Sequence, residues 1–232
     1  MAMRITVLGT DYQGLTISAG LAVLGDSVTT VDTNHSRIRR LQRGLEIEGD
    51  ETLSRQLKRE FREGLLRFTS EPESSLAETD VVIIAGFPGE QPAILRVAEC
   101  LSGAMVSFST VLVTARTPVG SSRMLQNWLN DALYTTSVNV VTFPVFFSEP
   151  NGLHDFLHPE RIVLGYESEQ PRRVLDELFA HLLLNEASIS HVSWEAAEMM
   201  RATTGPLSTG IPESKQPLDT AKVTDRTYSR IG

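Results

Sequence analysis

The stretch that decides the fold is MRITVLGTDYQGL, residues 3–15. Arg4 to Leu8 is a short apolar run rich in β-branched residues, and it stops at Gly9, which is the pattern of a buried strand. Helical apolar spacing follows from Leu15 to Leu24 and closes at Gly25. A second run, Ser27 to Val31, ends at Asp32, and Asn34 then caps a basic helix, Ser36 to Arg43, that Gly44 terminates. The chain therefore opens as strand, helix, strand, helix, with a glycine turn between the first two.

The alternation continues outward from this unit. Helical patterns occupy Asp50–Glu63, Ser74–Ala77, Ala93–Leu101, Ser121–Leu133, Arg172–Leu184 and Trp194–Arg201. Strand patterns occupy Leu66–Thr69, Val81–Ala85, Thr110–Ala115, Val138–Thr142, Arg161–Gly165 and Ser188–Val192, and Phe143 to Pro159 reads as a loop. Apolar strands separated by helices imply a mostly parallel sheet with helices on both faces, an α/β doubly wound, Rossmann-type fold. Residues 1–203 are expected to form this domain. After Thr203, Gly205, Pro206, Gly210, Pro212 and Pro217 break any helix, so 204–232 is expected to be a polar arm, with a second copy of the chain as the partner it could pack on.

Composition narrows the function. A net charge of −8 argues against nucleic-acid binding, which needs a basic face. The single cysteine, Cys100, allows no internal disulfide, fits a cytoplasmic location and is read as a buried structural thiol. The amino terminus lacks the pattern of a signal peptide, and no apolar stretch is long enough to span a bilayer. No metal-ligand spacing occurs; His154 and His158, which flank Asp155, are read as structural.

The turn between first strand and first helix is Gly9-Thr10-Asp11-Tyr12-Gln13-Gly14. A dinucleotide-binding turn uses three glycines, for the tight turn, for close approach of the pyrophosphate and for helix packing. Gly9 and Gly14 stand at the first and third positions, and Asp11 replaces the second. A carboxylate there faces two phosphates. Like charges about 4 Å apart cost roughly 1 to 4 kcal/mol, and about 1.4 kcal/mol is tenfold in affinity. Asp32 ends the second strand, where an acidic residue bonds the ribose hydroxyls of NAD. The cofactor candidates are thus Gly9, Asp11, Tyr12, Gly14 and Asp32, although aromatic packing is the commoner use of Tyr12 and Phe87.

Residues 3–15 resemble the amino-terminal ITVIGTGYVGL signature of the UDP-glucose and GDP-mannose dehydrogenases. The likeness continues through Val31-Asp32, Gly64–Thr69, Ala77–Ala85, Thr117–Gly120, Asp155–Val163 and Ala197-Glu198. That resemblance implies NAD as cofactor and oxidation of a sugar alcohol to a carboxylate. It also implies a catalytic lysine, threonine, asparagine, cysteine and two glutamates. At the matching positions stand Thr114 for the family's lysine, Arg116 for its threonine and Val145 for its first glutamate. Ser148 replaces an arginine and Glu149 keeps a glutamate; Arg201 replaces a lysine and Gly205 the asparagine. The family's second domain, with its cysteine, is not expected here.

Three functions follow, in this order. The first is a relative without the sugar-oxidising machinery, acting as a small-molecule-binding or scaffolding protein. The second is a repurposed enzyme running a non-redox step, a cyclisation, rearrangement or isomerisation, on a small, partly apolar substrate. Arg116 and Glu149 are its candidate catalytic residues. The third is a residual NAD-dependent dehydrogenase that needs a partner domain.

Overall fold

Period-two alternation in the central strands sorts their side chains into two cores. Ile5, Val7, Val81, Ile83, Leu112, Val141, Ile162 and Leu164 lie in one; Leu8, Val82, Ile84, Val111, Val113 and Val140 lie in the other. The centre of the sheet is therefore buried on both faces, and β4 at its middle, Val81–Ile84, is wholly apolar. The fold is given by a computed structural model, which describes residues 2–44, 49–77, 79–86, 110–133, 138–147, 149–184 and 187–203. The expected helix Ala93–Leu101 with Cys100, and also Phe87, Ser148, the Arg201 side chain and the arm 204–232 with Gly205, lie outside the described residues.

The strands are β1 (Arg4–Leu8), β2 (Ser27–Val31), β3 (Leu66–Thr69), β4 (Val81–Ile84), β5 (Thr110–Val113), β6 (Asn139–Thr142), β7 (Arg161–Gly165) and β8 (Ser188–Val192). They form one sheet in the order β3-β2-β1-β4-β5-β6-β7-β8. Every neighbouring pair is parallel except β6 and β7, which meet antiparallel at Thr142 and Gly165. The order reverses between β1 and β4, so the crevice at their carboxyl ends is the switch point where sheets of this kind take ligands.

The described helices are α1 (Tyr12–Val23), α2 (His35–Gln42), α3 (Glu51–Glu63), α4 (Pro72–Leu76), α5 (Ser121–Leu133), α6 (Gly152–Leu157), α7 (Arg172–Leu183) and α8 (Trp194–Thr203). α1, α3 and α7 cover the first face through Leu15, Ile17, Leu53, Leu57, Leu178 and Phe179; α4 and α5 cover the second through Leu76, Leu125 and Leu129. None is long and apolar enough to cross a membrane, among the described residues.

α6 corrects the expectation of a plain loop from Phe143 to Pro159. It has no side-chain cap and only six residues, so local signals are weak. Tertiary packing holds it instead. Residues 14–22 of α1 are all buried, and Gly20 presents a bare Cα to the Phe156 ring. A Cβ at Gly20 would sit 2.2 Å from Phe156 Cδ1, so only glycine lets α6 dock this closely.

Candidate functional site

The glycine turn is built by contacts that side chains would destroy. Gly9 has φ +113°, and a Cβ on it would lie 2.3 Å from the Gly86 carbonyl oxygen. A Cβ on Gly14 would lie 2.3 Å from the Gly9 carbonyl oxygen. The first and third glycines therefore bring β1, α1 and the end of β4 together.

Asp11 caps α1. Its Oδ1 accepts the Gly14 amide at 2.8 Å, and its Oδ2 rests on the bare Cα of Gly86, where a Cβ would be 2.5 Å away. The carboxylate thus lies between the start of α1 and the chain leaving β4. Burial pushes its carboxyl above the ordinary 3.8, and Asp32 pushes the same way, while the Gly14 amide and Arg37 pull it down. Asp32 is buried at the end of β2 and accepts from the Thr10 hydroxyl and, at 2.9 Å, from the Asn34 amide. Arg37 of α2 donates through Nε to Thr10 Oγ1 at 2.7 Å and through Nη2 to the Thr10 carbonyl.

Gln13 was not among the expected site residues. Its Nε2 donates to the Thr114 carbonyl oxygen and to Thr114 Oγ1, both at 2.7 Å. Thr114 Oγ1 in turn donates to the Ile84 carbonyl at 3.1 Å. A side-chain strap therefore joins the first turn of α1 to the ends of β4 and β5. The available sign was an amide where the resembling GYVGL pattern has an apolar side chain.

Tyr12 is a strut rather than a free ring. Its hydroxyl donates to Asp50 Oδ2 at 2.8 Å and accepts the Gly152 amide at 3.0 Å, while Asp50 Oδ1 caps α3 by accepting the Leu53 amide. Its ring meets Phe147 edge-on at 6.4 Å. Burial, with the adjoining Asp50, pushes the phenol up to about 12. Its folded pKa lies above the ordinary 10, so its share of stability is full below pH 10 and fades as pH rises through about 12. Tyr12→Phe is expected to cost about 1 to 2 kcal/mol in urea unfolding, because two hydrogen bonds go and their partners stay. The highest step of the ultraviolet tyrosine titration disappears with it; an unchanged titration contradicts the assignment.

A cleft of about 1660 Å³ opens beyond Asp11 and Gln13. Tyr12, Phe143, Phe146 and Phe147 contribute aromatic wall, and Arg116 and Glu149, both exposed, contribute charge. The two candidate catalytic residues thus share one cleft with Tyr12 and Asp11, whereas Asp32 and Gly9 are not among its lining. His154 and His158 also face it, with rings 4.9 Å apart. No cluster of three or more metal-capable side chains exists among the described residues.

Glu198 carries a role that the motif Ala197-Glu198 did not reveal. Its buried carboxylate accepts the amides of Gly120 at 2.6 Å and Ser122 at 2.8 Å. It therefore caps α5 from α8 and fixes the turn that follows Arg116.

The model of the UDP-glucose/GDP-mannose dehydrogenase family, NAD binding domain, matches residues 3–183. UDP-glucose 6-dehydrogenase YwqF of Bacillus subtilis is 30% identical over 185 residues, which cover 76% of this chain and 42% of that protein. The UDP-glucose 6-dehydrogenase of Rhizobium meliloti is 26% identical over 209 residues, covering 86% and 48%. A crystal structure of a ternary complex of GDP-mannose dehydrogenase from Pseudomonas aeruginosa superposes with a TM-score of 0.77 at 24% identity, over 87% of this chain and 49% of that one. The chain spans under half the length of these relatives, and the structural likeness speaks for the fold.

Gly9, Gly14 and Asp32 suit a dinucleotide at the switch point; Asp11 does not. Its carboxylate takes the helix amide that a phosphate oxygen would need and fills the space over Gly86.

Proposed function

We propose, from the premise that the chain belongs to the UDP-glucose/GDP-mannose dehydrogenase family through its NAD-binding domain, that this domain binds a small molecule in the outer cleft and does not itself oxidise a sugar. The observation that carries this reading is the Asp11 carboxylate, seated on the Gly14 amide and against Gly86. NAD, the hydride acceptor that the family implies, meets a negative charge at the place of its pyrophosphate.

Two further features support the same reading. The Gln13 strap joins the start of α1 to the end of β5 beside the switch point. Thr114, at the position of the family's lysine, is buried and committed to Gln13 and the Ile84 carbonyl, so it is not placed to move a proton.

The outer cleft suits a small, partly apolar ligand. Phe143, Phe146 and Phe147 bury a flat or apolar body, while Arg116 pairs with an anionic group and Glu149 with a donor. Native mass spectrometry of the protein taken from cells tests this. A small molecule is expected to stay bound and to be lost from the Arg116→Ala/Glu149→Ala variant. Recovery of an intact nicotinamide dinucleotide, or a ligand indifferent to both substitutions, contradicts it.

A further inference from the structure

Asp11 places inside the crevice the kind of group that the crevice would otherwise attract. The start of a twelve-residue helix offers unpaired amides and a partial positive charge to an anion. Here the protein supplies that anion itself. Asp11 Oδ1 holds the Gly14 amide at 2.8 Å, and Oδ2 lies against Gly86, across the gap between the first turn of α1 and the end of β4. The match to an NAD-binding domain defines what such a gap takes in this family: a dinucleotide with two negative phosphates. The family's cofactor and this crevice therefore disagree over one charge.

The surroundings do not cancel that charge. The charged groups that bear on Asp11 are Arg37 from α2 and Asp32 from the end of β2, one of each sign. Arg37 is already engaged with Thr10 Oγ1 and the Thr10 carbonyl. From α1, β4 and β5, the groups at the crevice are the Gly14 amide, Gly86, Gln13 and Thr114, none of which titrates, and the Tyr12 phenol, which stays neutral up to about pH 12. An arriving pyrophosphate would thus meet a carboxylate whose cationic neighbour among the described residues, Arg37, is already engaged, while Arg116 lines the outer part of the cleft.

We infer that entry of a dinucleotide into this crevice is coupled to uptake of one proton by Asp11, so the site rejects its phosphates at neutral pH and admits them in mild acid. A protonated carboxyl no longer repels and holds the Gly14 amide less strongly than the carboxylate, so it can swing off the amide and Gly86, and its hydroxyl can then donate to a phosphate oxygen where the carboxylate could only accept. The inference rests on the reading that Asp11 fills the pyrophosphate position. Partial desolvation of the carboxyl, in a residue that is exposed overall, favours the neutral acid in the folded chain. The sign is fixed by linkage. A carboxyl raised by folding contributes stability below its ordinary value of 3.8 and loses that contribution as pH rises through its folded value. A ligand that binds only the protonated form pulls in the same direction.

Calorimetric titration of the full chain with NAD between pH 5 and pH 8, beside Asp11→Asn and Asp11→Gly, tests the inference. Circular dichroism at each pH confirms that the fold persists. Wild-type affinity is expected to fall about tenfold per pH unit, as follows when one proton is bound with the ligand. Asp11→Asn, with the same shape and no charge, binds with a flat profile; it keeps the cap, so it folds. Buffers of different ionisation enthalpy report close to one proton taken up by the wild type and none by Asp11→Asn. Equal slopes for the wild type and Asp11→Asn overturn the inference, as does an absence of binding by all three proteins. Binding by Asp11→Gly alone, at every pH, overturns it too, since the obstacle is then bulk; the reading that Asp11 fills the position survives. Tight binding by the wild type at pH 8 overturns both.

Discussion

Replacing Asp11 by glycine and Gln13 by valine raises NAD affinity at neutral pH by about a hundredfold. Removing the carboxylate takes away a like-charge contact worth roughly 1 to 4 kcal/mol, and each 1.4 kcal/mol is about tenfold in affinity. It also frees the Gly14 amide and the space over Gly86 that Asp11 now occupies. Removing Gln13 opens the strap to Thr114. The first substitution alone accounts for at least tenfold. Glycine serves as an N-cap within a few tenths of a kcal/mol, and loss of the Gln13 bonds to buried Thr114 costs about 1 to 2 kcal/mol more. Calorimetry at one pH and one salt concentration is the measurement. No gain in affinity from the double variant contradicts the assignment of Asp11 as the obstacle.

Glu198→Ala is expected to lower the free energy of unfolding by about 2 to 4 kcal/mol, the largest loss from any single polar side chain considered. The carboxylate is buried and satisfies two amides, Gly120 and Ser122, through charge-assisted bonds. Alanine leaves the buried Ser122 amide and the half-buried Gly120 amide without their acceptor and removes a negative group from the start of α5. Glu198→Gln keeps an acceptor and loses about half as much. Urea unfolding of the three proteins reads the difference. A loss below about 0.5 kcal/mol for Glu198→Ala, the range of an ordinary surface change, contradicts the role.

The sheet was legible because its signals are local and regular. Runs such as Arg4–Leu8 and Arg161–Gly165 are apolar, β-branched and bounded by turn residues, and they agree residue for residue with β1 and β7. α6 was not legible, because what stabilises it is Phe156 meeting Gly20 and the Gly152 amide meeting Tyr12, contacts with a helix far back in the chain. The same division holds at the site. That Asp11 breaks the glycine turn is plain in the sequence. That its carboxylate lands on Gly86 is not, since Gly86 reaches it only when β4 pairs with β1. Glu198 sits in a recognisable motif, but its partners are 76 and 78 residues away. Gln13 is visible in the sequence only as an amide within the turn; its purpose depends on Thr114, brought near by β5.

A crystal structure of the wild-type chain grown at neutral pH in millimolar NAD reaches the central claim most directly. The expected density shows the Asp11 carboxylate on the Gly14 amide and against Gly86, with no pyrophosphate between Gly9 and Gly14. A dinucleotide phosphate over the Gly14 amide, with Asp11 swung away from Gly86, is the result that contradicts it.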